Sequence, residues 1–117
     1  MKKIAIIGGG NLGTAIAEGL LESKFITPKE LTVTRRNPQG LKSLTDAGVT
    51  VHADNVKAIK NAEVIILAVK PYQTTALLQS LGSSFIPGKH LLISVVTGIE
   101  IKTMREAVKK KISIIRA

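Results

Sequence analysis

Cysteine is absent from the chain. That excludes a disulfide framework, a thiolate metal site and a cysteine nucleophile, and it accords with a reducing compartment such as the cytoplasm. Aromatic residues make up only 3% of the sequence, so no interleaved stacking platform for single-stranded nucleic acid is visible. No apolar run approaches the roughly 20 residues of a membrane helix, and no membrane partner is expected. The opening Met1-Lys2-Lys3-Ile4 has the charge of a secretory leader, but glycines soon cut its apolar run and no small-residue cleavage site follows. Acidic residues are scarce, 8 against 17 Lys and Arg, for a net charge of +9. A basic balance invites a nucleic-acid reading. The lysines are scattered over helix faces and loops, however, and an anionic cofactor gains from the same field, so no nucleic-acid partner is expected. Lys109-Lys110-Lys111 reads as the solvated end of a helix, where cations suit the dipole. No His, Asp or Glu spacing suggests a metal site, and none is expected.

What is present begins with Ile4-Ala5-Ile6-Ile7-Gly8-Gly9-Gly10-Asn11-Leu12-Gly13, which reads as strand, tight turn and helix. Gly8, Gly10 and Gly13 fit G-x-G-x-x-G. The first glycine turns the backbone off the strand, the second leaves no side chain between backbone and a pyrophosphate, and the third lets helix and strand approach closely. Unpaired N–H groups and the positive dipole end of the helix would then face the phosphates. Leu12, Ala15, Ile16, Gly19 and Leu20 recur at i, i+3, i+4, i+7 and i+8, and predict the helix's apolar face.

The 117 residues suffice for one domain, residues 1–117, that buries about two-thirds of its unfolded surface. Strands are predicted at Leu31–Thr34, Val49–His52, Val64–Val69, Leu91–Val95 and Ile112–Ile115. Between them lie a short helix capped by Asn37-Pro38 and closed by Gly48, another from about Asn55, and two with faces Leu77, Leu78, Leu81 and Ile101, Met104, Ala107, Val108. Phe85-Ile86-Pro87-Gly88 reads as a turn. Repeated β-α units with short connections predict an α/β fold: an open, doubly wound parallel sheet of about six strands, Rossmann-like, with helices on both faces. Its ligand would lie outside the carboxyl ends of the strands.

The residues after the second strand choose between nicotinamide cofactors. An acid there accepts the ribose 2′-OH of NAD, whereas arginine pairs with the 2′-phosphate of NADP. Arg35 and Arg36 stand at that place, so NADP(H) is expected ahead of NAD(H).

Over essentially its whole length the chain resembles the pyrroline-5-carboxylate reductases, enzymes of the last step of proline synthesis. The resemblance rests on Gly8-Gly9-Gly10-Asn11-Leu12-Gly13, Arg36-Asn37-Pro38, Ala68-Val69-Lys70-Pro71-Tyr72-Gln73, Ile93-Ser94-Val95-Val96-Thr97-Gly98-Ile99 and Ile114-Ile115-Arg116-Ala117. Looser relatives are the NADP-binding domain of coenzyme F420-dependent oxidoreductases and the 6-phosphogluconate and hydroxyisobutyrate dehydrogenases. The resemblance implies that Ile7, Gly8, Gly9, Gly10, Asn11 and Leu12 line the pyrophosphate and that Arg35, beside Arg36, meets the 2′-phosphate. It also implies that Asn55 approaches the adenosine, while Ala68, Val69, Lys70, Pro71, Val95, Val96 and Thr97 flank the nicotinamide end. Val95-Val96-Thr97 departs from the smaller residues of relatives. Members of the family continue past Ile-Ile-Arg-Ala into a helical domain for dimerisation and substrate binding. The chain therefore reads as a fragment or partial product, the full protein being a homo-oligomer.

The implied reaction is reduction of 1-pyrroline-5-carboxylate to L-proline by NADPH. The cofactor carries the chemistry and the protein supplies position, electrostatics and a proton. No residue here is a convincing catalytic acid: His52 and His90 lie beside strand ends away from the expected nicotinamide, and Tyr72 reads as a ligand hydrogen-bonder or a half-buried aromatic. Three readings stay open: the cofactor half of a reductase, able to bind NADP(H) but catalytically incomplete; a stand-alone sensing module; and a nucleic-acid binder.

Overall fold

The computed structural model describes residues 3–117, in which β-strands and α-helices alternate. The strands are β1 (Ile4–Ile7), β2 (Leu31–Thr34), β3 (Thr50–His52), β4 (Val64–Leu67), β5 (Leu91–Ser94) and β6 (Ser113–Arg116). All pair in parallel in one sheet of order β3-β2-β1-β4-β5-β6. β1 is central, with Ile4 opposite both Leu31 and Val64, and every one of its residues is buried. A continuous run of branched apolar residues is what such a position requires. β6, at one edge, buries Ile114 and leaves Ser113, Ile115 and Arg116 exposed.

The helices are α1 (Asn11–Glu22), α2 (Lys42–Asp46), α3 (Asn55–Lys60), α4 (Pro71–Leu81) and α5 (Ile101–Val108). Because side chains alternate across a strand, β1 sends Ile4 and Ile6 to one face and Ala5 and Ile7 to the other. The first face packs with Ala17 of α1, with Leu44 of α2 and with Leu31 and Val33. The second packs with Ile59 of α3, Leu78 and Leu81 of α4, and Met104 and Val108 of α5. Truncating any of these fully buried Leu or Ile side chains to alanine costs about 2–5 kcal/mol.

Several expectations shift by small amounts. The buried face of α1 is Gly13 and Ala17, with Ile16, Leu20 and Leu21 packed beside them. Leu12, Ala15 and Gly19 are exposed instead. The cause is Gly13, where a methyl group would overlap the Gly8 carbonyl oxygen; the glycine must face the strand, which turns Leu12 outward. The Asn37-Pro38 start leads first into a 3-10 turn, Pro38–Leu41, with Asn37 Oδ1 accepting from the Gln39 N–H at 3.3 Å. α2 closes as expected at Gly48, φ +100°. There the Val49 N–H donates to Leu44 O at 3.0 Å and the Gly48 N–H to Thr45 O at 3.0 Å, the paired bonds of a Schellman end. β4 and β5 end at Leu67 and Ser94, before the predicted Val69 and Val95. β6 starts one residue late, at Ser113. Ile101 is partly exposed although Met104, Ala107 and Val108 are buried. Lys109 ends α5 in the left-handed region, φ +58°, and Lys109, Lys110 and Lys111 are all exposed.

Candidate functional site

Strand order reverses beside β1: the chain runs outward through β2 and β3, then returns to β4 on the other side. A crevice opens at the carboxyl ends there, as in open sheets generally. Its volume is about 980 Å³.

The floor is the turn from β1 to α1. The Gly8 and Gly9 N–H groups both donate to Thr34 O, at 3.2 and 2.7 Å, which locks the turn to the end of β2. Gly8 has φ +104°, open to glycine, and a Cβ there would stand 2.9 Å from the Ala68 carbonyl. At Gly9 a Cβ would stand 2.8 Å from Leu41 Cδ1 and 2.9 Å from Val33 Cγ1. Gly10 is different, because a Cβ there would meet nothing within 4 Å. It caps α1 without a side-chain bond, and the first N–H to donate back is that of Thr14, to Gly10 O at 2.9 Å. The preceding N–H groups of the first turn therefore have no carbonyl within the helix. Of their residues, Asn11 and Leu12 line the crevice beside Gly10.

The walls come from four strand ends. After β2, the Arg35 N–H donates to His52 O at 3.1 Å, and the Arg35 and Arg36 side chains stand exposed at the rim. After β4, the Ala68 N–H donates to Ile7 O at 2.9 Å. Lys70 then caps α4, its N–H donating to Gln73 Oε1 at 3.2 Å, and Pro71 takes the first helical position. After β5, the Val96 N–H donates to Ser94 Oγ at 3.2 Å, and the chain turns out through Thr97. Asn55 opens α3, beneath Asp54, whose Oδ1 accepts from the Lys57 N–H at 3.1 Å.

Of the candidate residues, Ile7, Gly8, Gly9, Gly10, Asn11, Leu12, Arg35, Arg36, Asn55, Ala68, Val69, Lys70, Pro71, Val95, Val96 and Thr97 all line the crevice. Gly13 does not; it is buried beneath the turn. The lining also takes in Thr34, Ala53, Gln73, Ala76 and Leu77, which sequence reasoning missed. Ala76 and Leu77 follow Gln73 along one side of α4, a signal that its helical spacing carried. Ala53, after a three-residue strand, carried none.

Three cations and no carboxylate or histidine are among the lining residues. That set attracts an anion, and Lys70 is its one side chain of a kind that serves as a general acid. Tyr72 is 79% exposed and outside the lining, neither the half-buried aromatic nor a wall of the site. His90 is buried at the opposite end of the sheet. Its Nδ1 accepts from the Ile86 N–H at 2.8 Å and its Nε2 faces Ile59 O at 2.9 Å, so the proton belongs on Nε2. Burial pushes its pKa below the ordinary imidazole value, against the pull of the Ile59 bond. His52 Nδ1 accepts from the Asp54 N–H at 3.2 Å, a turn-forming contact.

A doubly wound parallel sheet with a glycine-floored crevice at its reversal defines the dinucleotide-binding class of α/β domains. Within that class, the family model described as NADP oxidoreductase coenzyme F420-dependent matches residues 3–98, and the chain belongs to that family. It is 36% identical over 114 residues to pyrroline-5-carboxylate reductase 1 of Dictyostelium discoideum, which covers 97% of this chain and 20% of that protein. The structure of a pyrroline-5-carboxylate reductase from Coxiella burnetii superposes with a TM-score of 0.91 at 31% identity, over 98% of this chain and 43% of that one. The Plasmodium falciparum pyrroline carboxylate reductase with NADP bound has the same fold, with a TM-score of 0.84 at 22% identity, over 98% and 41%. The chain thus spans less than half the length of these relatives. Among the described residues no helix is long and apolar enough to cross a membrane.

Proposed function

We propose that the crevice binds NADP(H) in preference to NAD(H), and that the chain is the cofactor-binding part of an NADPH-dependent reductase forming L-proline from 1-pyrroline-5-carboxylate. One observation carries the cofactor reading: an uncapped helix start under open space at Gly10, at a rim of Arg35, Arg36 and Lys70 without a carboxylate. The residues fit the group. A diphosphate would take the place that a side chain at Gly10 would fill, receiving the free N–H groups of Asn11 and Leu12. Arg35 and Arg36 would answer the 2′-phosphate with charge-assisted bonds. Asn55 and Ala53 border the adenosine side; Ala68, Val69, Lys70, Pro71, Val95, Val96 and Thr97 border the nicotinamide side.

Bound NADPH would supply a hydride to the imine carbon, leaving NADP, while the nitrogen takes one proton. The chain's own part is to hold and orient the dinucleotide. The lining offers Lys70 but no Asp, Glu or His for that proton; we assign its donor, and the groups that bind the substrate carboxylate, to the rest of the longer protein. This agrees with relatives more than twice as long. For the whole protein we infer a homo-oligomer in the cytoplasm with no nucleic-acid partner.

Calorimetry on the 117-residue chain tests the reading. NADPH is expected to bind more tightly than NADH, and the chain alone to leave the imine unreduced. Replacing Arg35 and Arg36 together by alanine should weaken NADPH by about tenfold to a hundredfold and NADH by less than about threefold. Equal loss for both dinucleotides overturns the selectivity, and no heat with either at millimolar concentration overturns the site.

A further inference from the structure

The Arg35 guanidinium lies directly against the backbone of Gly40. A Cβ at Gly40 would stand 2.5 Å from Nη1, 3.2 Å from Cζ and 3.6 Å from Nη2 of Arg35. Nothing in the backbone requires a glycine there: φ is positive at Gly8, Gly48, Gly88 and Gly98 but not at Gly40. What the missing side chain makes room for is the guanidinium. The turn that carries Gly40 is itself held at both ends. Asn37 Oδ1 caps its start, and Leu41 at its end is buried against the first sheet face, next to the place where Gly9 excludes a side chain. The seat is therefore tied to the same packing that fixes the glycine turn.

We propose that Gly40 is a positioning residue for Arg35 and so sets selectivity for the dinucleotide that carries a 2′-phosphate. The proposal rests on the reading of Arg35 given above. Arginine has several rotatable bonds, and a guanidinium with room to lie on the Gly40 backbone can reach a phosphate from a position that a side chain there would close. A methyl group at Gly40 cannot coexist with the observed guanidinium, because carbon and nitrogen at ordinary contact stand about 3.5 Å apart or more. The guanidinium is the free end of a long side chain, so it moves and the fold does not. The predicted phenotype is a protein of unchanged stability with a displaced arginine.

Four proteins decide the matter: the native chain, Gly40→Ala, Arg35→Ala and the double variant, each titrated with NADPH and with NADH and each melted. Gly40→Ala should keep its melting midpoint, weaken NADPH about fivefold to tenfold and change NADH by less than about twofold. In the Arg35→Ala background the same substitution should add less than about twofold for either dinucleotide, since the group it displaces is gone. Gly40→Ser repeats the steric test with a second side chain. An unchanged NADPH affinity in both Gly40 variants, while Arg35→Ala retains its selective loss, overturns the role of Gly40 alone. A Gly40 effect that persists undiminished without Arg35 overturns it equally, by tracing the loss to the backbone. If Arg35→Ala itself leaves the NADPH-to-NADH ratio untouched, the reading of Arg35 falls and takes this proposal with it.

Discussion

The two ends of the parallel sheet handle their polar groups in opposite ways. At the amino end the chain satisfies itself: His90 uses both ring nitrogens on the backbone of Ile86 and Ile59, Lys89 Nζ donates to Lys60 O at 2.8 Å, and Arg105 Nη1 donates to Ile112 O at 3.0 Å. At the carboxyl end Arg35, Arg36 and Lys70 stand exposed around a crevice whose floor begins an uncapped helix. A basic side chain that meets a carbonyl of its own chain is holding the fold together. One left at the edge of a concave space is available to something else. Net charge alone made no such distinction, because it counts Lys89 and Arg35 alike.

The largest expected effect separates closed from open positions within three residues of the glycine turn. Gly13→Ala puts a methyl group into the carbonyl of Gly8, a residue whose N–H is tied to Thr34 O of β2, and should cost about 3 kcal/mol of stability, the upper end for overpacking. Gly10→Ala meets open space and should cost less than about 1 kcal/mol, the difference between glycine and alanine as helix caps. Its effect belongs to binding: NADPH and NADH should both weaken by about tenfold or more, the methyl group occupying the diphosphate's place. Denaturant titration and calorimetry of the two variants would reverse the assignment of closed and open positions if Gly10→Ala unfolded the chain and Gly13→Ala did not.

Next in size is His90. Alanine there strips the partner from the Ile86 N–H, leaves the Ile59 carbonyl with the Ala62 N–H alone, and opens a gap beside Phe85, whose ring meets the imidazole edge-on at 5.8 Å. A loss of about 3 kcal/mol is expected, with dinucleotide affinity unchanged. The pH dependence has a definite sign. Burial holds the folded imidazole below its ordinary 6.5, so on acidification the unfolded chain takes up the proton first. The His90 contribution is therefore complete above about pH 6.5 and shrinks as pH falls toward the folded pKa. Thermal melts between pH 8 and 5 would show this slope. If stability instead rose on acidification over that range through His90, the amino end would not be the closed structure described.

Much of this was legible in the sequence, for identifiable reasons. The β-α alternation follows from runs such as Val64–Leu67, whose burial forces continuous apolar residues. The end of β1 follows from Gly8, whereas β4 and β5 stop at Leu67 and Ser94, short of the ends expected from sequence. The candidate site was legible wherever backbone built it, at Gly8, Gly10, Ala68 and Val96, because position along a strand fixes backbone. Two kinds of fact were not. The face of α1 was read from Leu12, Ala15, Ile16, Gly19 and Leu20, of which Ile16 and Leu20 pack inward; the close approach expected at Gly13 is what turns Leu12 outward, and apolar periodicity gives a glycine no weight. Ala53 reaches the crevice, and Gly40 the Arg35 guanidinium, only through loop geometry. Periodicity does not describe a three-residue strand or a 3-10 turn.

The smallest effect tests the side of the open end proposed for the nicotinamide. Thr97 is exposed at the mouth, where the main chain leaves β5 after Val96 has been tied to Ser94 Oγ. With the backbone fixed one residue earlier, its hydroxyl and methyl groups hold nothing in place. Thr97→Ala should change stability by less than about 0.5 kcal/mol, and NADPH affinity by less than about twofold. Such a result would place the binding contribution of this segment in its backbone, where the exchange of smaller residues for Val95-Val96-Thr97 is tolerated. A tenfold loss would place it in the side chain, and the open end would then be specified on both sides, by guanidinium groups after β2 and by a hydroxyl after β5.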